Sequence, residues 1–209
     1  MNIDMYNKIV SLYGQISIHY LERIEETIAK SLNQYPRTFA VRFDLRFPLE
    51  TELFNKCKTD SEVITRFFKS LAAMMKISDY RKVREGKRVH VTALRYVWVR
   101  EFGQSGRKHY HVLLLLNKDA YKGLGGFNHK RSLADMICRA WLSATGISES
   151  ERRGLVHFAS YGGYWLNNKL DQDINDAIYT SVVIRVSYLA KDATKCNDDG
   201  ERNFGCSCK

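Results

Sequence analysis

Apolar and polar positions alternate along this chain with two different periods, and the switches between them divide it into elements. From Met5 to Asn33, Ile9, Leu12, Ile16, Ile24, Ile28 and Leu32 recur at spacings of three, four and eight, with Glu22, Glu25 and Glu26 as charged companions. That period predicts one long amphipathic helix, suited to packing or self-association and ended by Tyr35-Pro36. From Arg37 to Phe47 the period drops to two: Phe39, Val41, Phe43, Leu45 and Phe47 share one face, and Arg42, Asp44 and Arg46 share the other. A half-buried strand follows from that alternation.

A helical stripe returns between Ser61 and Lys82, where Val63, Ile64, Phe67, Phe68, Leu71, Met74 and Met75 are the expected buried positions and Ser61 the expected N-cap. Arg81, Lys82, Arg84, Lys87 and Arg88 then form a basic segment. It reads as a solvated loop or, on a path leading toward the next motif, as a DNA contact. Thr92 to Asn117 reads as two strands joined by a Gly/Ser turn, Ser132 to Ala144 as a helix stopped by Gly146, and Gly154 to Ala159 as a short strand ending in a Tyr/Gly-rich turn. Asp171 to Lys195 has acidic residues early and basic residues late, which suits a helix; its β-branched run from Thr180 to Val186 would also suit a strand. The helix is the favoured reading, and it alone puts Tyr188 and Lys191 on one face.

The order strand, helix, strand, strand, helix, strand is that of an α+β fold of the ferredoxin-like or RNA-recognition-like kind. In it, helices pack on one face of an antiparallel sheet and the other face is free to hold a site. No repeat, low-complexity run or clear linker interrupts it.

Composition narrows the partners. Against 23 acidic side chains stand 33 basic ones, a net charge of +10 and a pI near 9.4, so polyanions are the favoured class through phosphate neutralisation. The start, MNIDMYNKIV, lacks the basic-then-apolar pattern of a signal peptide, and the longest aliphatic run, Val112 to Leu116, is far too short to span a bilayer. No membrane partner is expected. Five cysteines without a secretion signal point to reduced thiols in a cytoplasm. Cys196, Cys206 and Cys208 cluster near the end, but without the paired CxxC of a zinc site.

The chemistry concentrates at His109-Tyr110-His111. On a strand the two imidazoles project from the same face about 7 Å apart, which makes half of a metal site. Glu101, on the preceding strand of the hairpin, can close it; Gln104 and Asp44 are weaker candidates. Two imidazoles and a carboxylate leave coordination positions open and suit Mn²⁺ or Mg²⁺.

HYHVLL resembles the His-hydrophobic-His signature of HUH endonucleases, SYLAKDATK resembles their Tyr-x-x-Lys motif, and RFDLRF occupies the place of their first strand motif. Within that superfamily the chain is most similar to inovirus-type replication proteins and their prophage YagK/YfjJ relatives. The similarity runs from about Arg37 through the RNFGCS ending. It leaves the first helix unexplained, so the chain reads as a helical extension over residues 1–35 followed by an HUH-type replication endonuclease domain over 36–209.

The resemblance implies metal-dependent nicking and joining of single-stranded DNA, initiating rolling-circle replication of a phage or prophage-like element. Tyr188 would be the nucleophile, forming a 5′-phosphotyrosine, with Lys191 stabilising charge and His109, His111 and Glu101 holding the cation. Arg42, Arg46, Lys108 and Lys195 are the candidate DNA contacts. Single-stranded DNA at a replication origin, host replication proteins and a second copy of the chain are the implied partners, in the cytoplasm of a bacterial host. A two-tyrosine initiator carries its second tyrosine one helical turn away, but here position 184 is Ile and position 192 is Asp, so a single-tyrosine enzyme is expected. Tyr161, Tyr164 and Tyr179 are lesser nucleophile candidates, better suited to packing or base stacking. Rival readings are a non-catalytic origin- or operator-binding protein of the same fold and an RNA-recognition module.

Overall fold

The computed structural model describes residues 3–103, 105–127, 129–168, 172–193, 195–196 and 198–207, without the side chains of 160–162 and 172–175. Its strands β1 (Arg37–Leu45), β2 (Arg95–Phe102), β3 (Lys108–Asn117), β4 (Val156–Asn167) and β5 (Phe204–Cys206) form one sheet in the order β4-β1-β3-β2-β5. Every pairing in it is antiparallel. With α4 (Val63–Arg84) after β1 and α5 (Leu133–Thr145) after β3, the four main strands have the expected α+β order.

Alternation along the strands makes two apolar faces. Phe39, Val41, Phe43 and Leu45 of β1 and Val112, Leu114 and Leu116 of β3 pack against Ile64, Phe67 and Leu71 of α4 and Ile137 and Trp141 of α5. These helices occupy one side, as the pattern predicts. On the other side Ala40, Val97, Val99, Leu113 and Leu115 are covered by α1 (Ile3–Tyr13), α2 (Ile18–Gln34) and α6 (Gln172–Val186). The second face is therefore open only where it turns polar, beyond Leu113 on β3. Burying the N-terminal stripe of Leu21, Ile24 and Ile28 against the sheet removes it from water, the dominant favourable term for such a surface.

Several expected boundaries shift for local reasons. The N-terminal helix is two helices, because Gly14 takes a left-handed φ of 76° and Ser17 starts a new helix by accepting from the Tyr20 amide. Ser61 does not cap α4. The helix starts at Val63, and the Asp60 side chain accepts from the Glu62 amide instead. At α5 the expected signals act as read: the Ser132 hydroxyl accepts from the Asp135 amide, and Gly146 closes the helix at φ 78°.

The strand from Gly154 does not stop at Ala159. As β4 it continues to Asn167, its register with β1 shifting between Val41 and Phe43, so the Tyr/Gly stretch is a bulged strand. A short helix, α3 (Thr51–Asn55), and the edge strand β5 lie outside the sequence expectations. No described helix is long and apolar enough to cross a membrane.

Candidate metal centre and nucleophile

Strand register builds the centre. β3 lies between β1 and β2, and pairing sets Glu101 opposite His109 and Asp44 opposite His111. Residues 109, 111, 113 and 115 share a face, so the stripe that is leucine under the helices becomes imidazole where they end. Glu101, His109 and His111 each present a ligand atom within 4.8 Å of the others. The two imidazole Nε2 atoms are 3.1 Å apart, and His111 Nε2 is 3.3 Å from Glu101 Oε2. This converging set of two nitrogens and one oxygen, with Glu101 only 1% exposed, fits a divalent cation. Asp44 has a different place from that of a reserve ligand. Its Oδ1 sits 2.5 Å from His111 Nδ1, across the imidazole from the converging donors, and so fixes which ring nitrogen faces the centre.

Charge is balanced unevenly across the cluster. For His111, burial opposes the charged form, but hydrogen bonds and charges of Asp44 and Glu101 outweigh it, and its pKa is raised. Burial and the neighbouring His111 lower that of His109. Asp44 is also partly desolvated, yet His111, Arg42 and Arg46 hold its carboxyl well below the usual range.

Tyr188 lies over this end of the sheet. Its ring meets His111 edge-on at 5.2 Å, and its hydroxyl donates to Glu101 Oε2 at 3.5 Å, the outer limit of a hydrogen bond. Arg42 lies 4.7 Å above the ring and Lys191 Nζ 5.9 Å from its centroid. Burial first, then the Glu101 carboxylate, push the phenol pKa up, against the opposing charge of Arg42.

The helix favoured for this stretch ends at Val186. Tyr188 sits on the 3₁₀ turn Ser187–Ala190, and Lys191 is its extended C-cap. That turn is tied to the α1–α2 connection: the Ser17 amide donates to Ala190 O at 2.9 Å, the Asp192 amide donates to Gln15 O at 3.1 Å, and the Tyr13 ring meets Tyr188 at 5.7 Å. The N-terminal helices thus position the tyrosine, a role that helical periodicity alone does not reveal. The break at Gly14 and Ser17 was the available signal.

The remaining candidates separate. Arg42 joins the cluster, whereas Arg46 stands beside it, half-exposed and paired with Asp44 at 3.1 Å. Lys108 is bound to Glu201 at 2.7 Å. Lys195 is buried rather than displayed, its Nζ 4.0 Å from Glu101 Oε1, and desolvation lowers its pKa. The basic segment from Arg81 does not lead to the histidines. Its first residues finish α4, and β2 begins at Arg95 opposite Leu115, about 20 Å of strand before Glu101.

Arg185 donates to the Tyr164 hydroxyl at 2.8 Å, and Tyr179 is half-buried away from the donors. Cys206 Sγ accepts from Arg23 at 3.4 Å, and among the described residues no cysteine joins a metal cluster. Gln104, Cys208 and the Tyr161 side chain lie outside the described residues. Next to His109 a groove of about 750 Å³ opens, lined by Arg46, Phe47, Leu49, Arg107 and Arg153 among others.

Comparison with known proteins gives a family match to the YagK/YfjJ C-terminal domain over residues 2–207. The chain is 38% identical over 200 residues to the uncharacterized protein YagK of Escherichia coli strain K12, covering 93% of this chain and 95% of the relative. It is 37% identical over 204 residues to the uncharacterized protein YfjJ of the same strain, covering 94% and 97%. No solved structure matches it significantly.

Proposed function

The chain belongs to the YagK/YfjJ C-terminal domain family, and we propose that it is an HUH-type, metal-dependent endonuclease and strand transferase acting on single-stranded DNA. The reaction would run through a 5′-phosphotyrosine and would initiate rolling-circle replication of a phage or prophage-like element. One observation carries the reading: the Tyr188 hydroxyl points at the Glu101 oxygen that also faces His111 Nε2. A phenol from one end of the chain and three ligand atoms from a hairpin far away in sequence meet at one point.

Glu101, His109 and His111 would hold Mn²⁺ or Mg²⁺, which when bound would stabilise charge on the non-bridging phosphate oxygens. The protein's own groups do the rest. Tyr188 presents its oxygen to phosphorus, the new phenolic O–P bond forms as the bond to the 3′-oxygen breaks, and the phenol's proton is matched by the one the departing 3′-oxygen gains. Arg42 and Lys191, flanking the ring, favour a developing phenolate and orient the phosphate. Because the phosphodiester energy stays in the covalent link, the 3′-hydroxyl can prime synthesis and the step can reverse.

In-line attack also gives the strand a direction. The leaving oxygen would lie opposite Tyr188 across phosphorus, and the groove is lined by His109 rather than by His111 or Tyr188. The segment ending in the released 3′-hydroxyl would occupy that groove, where Arg46 and Arg153 would meet phosphates and the exposed Leu49 would meet a base.

The test is incubation with a single-stranded origin-like oligonucleotide and Mn²⁺. Wild type is expected to give a covalent protein–DNA band, Tyr188→Phe none, and His109→Ala at least a hundredfold less. An undiminished adduct from Tyr188→Phe would refute the nucleophile. Salt-dependent DNA binding without any adduct from wild type would favour a non-catalytic origin-binding protein.

A further inference from the structure

Lys195 is a third basic side chain near the centre, beside Arg42 and Lys191, and the proposed reaction does not use it. Its side chain is 3% exposed, and its Nζ is buried with no hydrogen-bond partner among the described residues, 4.0 Å from Glu101 Oε1 and 5.5 Å from the centroid of the Tyr20 ring. A buried ammonium with so little compensation costs stability, and an apolar side chain of similar length would serve packing better. Its charge therefore has to be explained by what it faces: first the far oxygen of the candidate cation ligand, and second, with a smaller effect, the Asp192 carboxylate.

The chain places it there by an unusual route. Successive residues of β2 point to opposite faces. Arg100, 1% exposed, holds the segment after Lys195 through Asp199 at 2.6 Å, Glu201 at 2.9 Å, the Cys196 carbonyl at 3.2 Å and the Asn203 side chain at 2.9 Å. Glu101, one residue on, meets Lys195 on the other face. The C-terminal segment thus wraps the edge of the sheet before pairing as β5, and Arg100 fixes the wrap.

We propose that Lys195 is a positioning residue for Glu101. It draws Oε1 away from the centre so that Glu101 offers the cation a single oxygen, Oε2, and it withdraws negative charge from that ligand. Both effects keep coordination positions open for phosphate and keep the cation electrophilic, at the expense of cation affinity. The inference rests on the reading of Glu101, His109 and His111 as the cation site, and it replaces direct DNA contact as the role of Lys195.

The experiment compares wild type with Lys195→Met, a substitution of similar length without the charge, by calorimetric titration of the DNA-free protein with Mn²⁺. Adduct formation is then measured at saturating Mn²⁺, with thermal melting as the folding control. Removing a positive charge this close to a ligand is expected to tighten Mn²⁺ binding about tenfold, while adduct formation at saturation falls at least tenfold. Lys195→Arg, which keeps the charge, is expected to bind Mn²⁺ as weakly as wild type. Unchanged or weaker Mn²⁺ binding by a folded Lys195→Met would overturn the proposal, as would wild-type adduct formation at saturation. If wild type binds Mn²⁺ but forms no adduct, the nuclease reading fails and the affinity comparison still decides the role of Lys195. If wild type binds no Mn²⁺, both fall.

Discussion

Replacing Asp44 with Ala tests the centre most sharply, because it separates an orienting carboxylate from a ligand. Asp44 Oδ1 accepts from His111 Nδ1 at 2.5 Å, which puts the Nε2 lone pair toward Glu101 and His109. Adding the width of the ring and a usual metal–nitrogen bond places the carboxylate roughly 7 Å from a bound cation. At an effective dielectric of about 20, its attraction for a divalent ion is then about 5 kcal/mol before neighbours are counted. Those neighbours matter: Arg46 at 3.1 Å and Arg42 at 3.9 Å already neutralise most of that charge. What remains is chiefly the loss of ring orientation and tautomer, for which outer partners of metal-bound histidines are worth 10–100-fold in affinity, or about 1.4–2.7 kcal/mol.

Asp44→Ala is therefore expected to weaken Mn²⁺ binding by about 10–100-fold. Asp44→Asn, whose amide oxygen still accepts from Nδ1, should recover part of it. Isothermal titration of the folded variants reads both. Binding within twofold of wild type for Asp44→Ala would refute the orienting role. Complete loss, equal to that of His111→Ala, would make Asp44 a ligand and the geometry wrong.

Two further outcomes follow from the same structure. In the metal-free protein the folded pKa of His111 lies above its unfolded value of about 6.5. Its pairing with Asp44 and Glu101 thus adds stability that is fully present below that value and fades as pH rises through the raised one. The stability margin of wild type over His111→Gln, from urea titrations with chelator present, should accordingly shrink as pH rises above about 6.5; a margin that grows with pH would contradict the pairing. Removing residues 1–35 should leave little soluble protein, because it uncovers Ala40, Val97, Val99, Leu113 and Leu115 together and frees the turn carrying Tyr188. Recovery of a folded, soluble 36–209 fragment would show that the N-terminal helices are dispensable to the core.

Much of the fold was legible because two periods alternate cleanly. The period of two in β1 and the stripe of α4 each identify a core face, and Ser132 with Gly146 marks both ends of α5. What periodicity could not give was the partner of each face. The aliphatic run Val112 to Leu116 is continuous rather than alternating, the usual mark of a strand covered on both sides. That run already argued against an open second face, and the N-terminal stripe of Ile24 and Ile28 is what covers it. Bulges and edge strands left weaker traces. Gly163, where an added Cβ would come 2.8 Å from Phe39, and Gly205, where it would come 2.6 Å from Trp98, are strand positions at which a close neighbour leaves no room for a side chain.

The centre was legible to the extent that its parts are local. His109 and His111 face one way because strands alternate, and Glu101 faces them because a hairpin folds one strand back on the other. Residues that meet the centre from afar are harder to place. Asp44 as a weaker ligand candidate and Lys195 as a candidate DNA contact both follow from charge, and a sequence reports what charge a side chain carries but not which atom of a neighbour it faces. Here the facing is specific: Asp44 reaches the back of the His111 imidazole and Lys195 the far oxygen of the Glu101 carboxylate, so two opposite charges stand behind two of the three candidate ligands. Such a ring of outer contacts needs β1, β2, β3 and the C-terminal wrap in register at once, and only the folded chain holds them so.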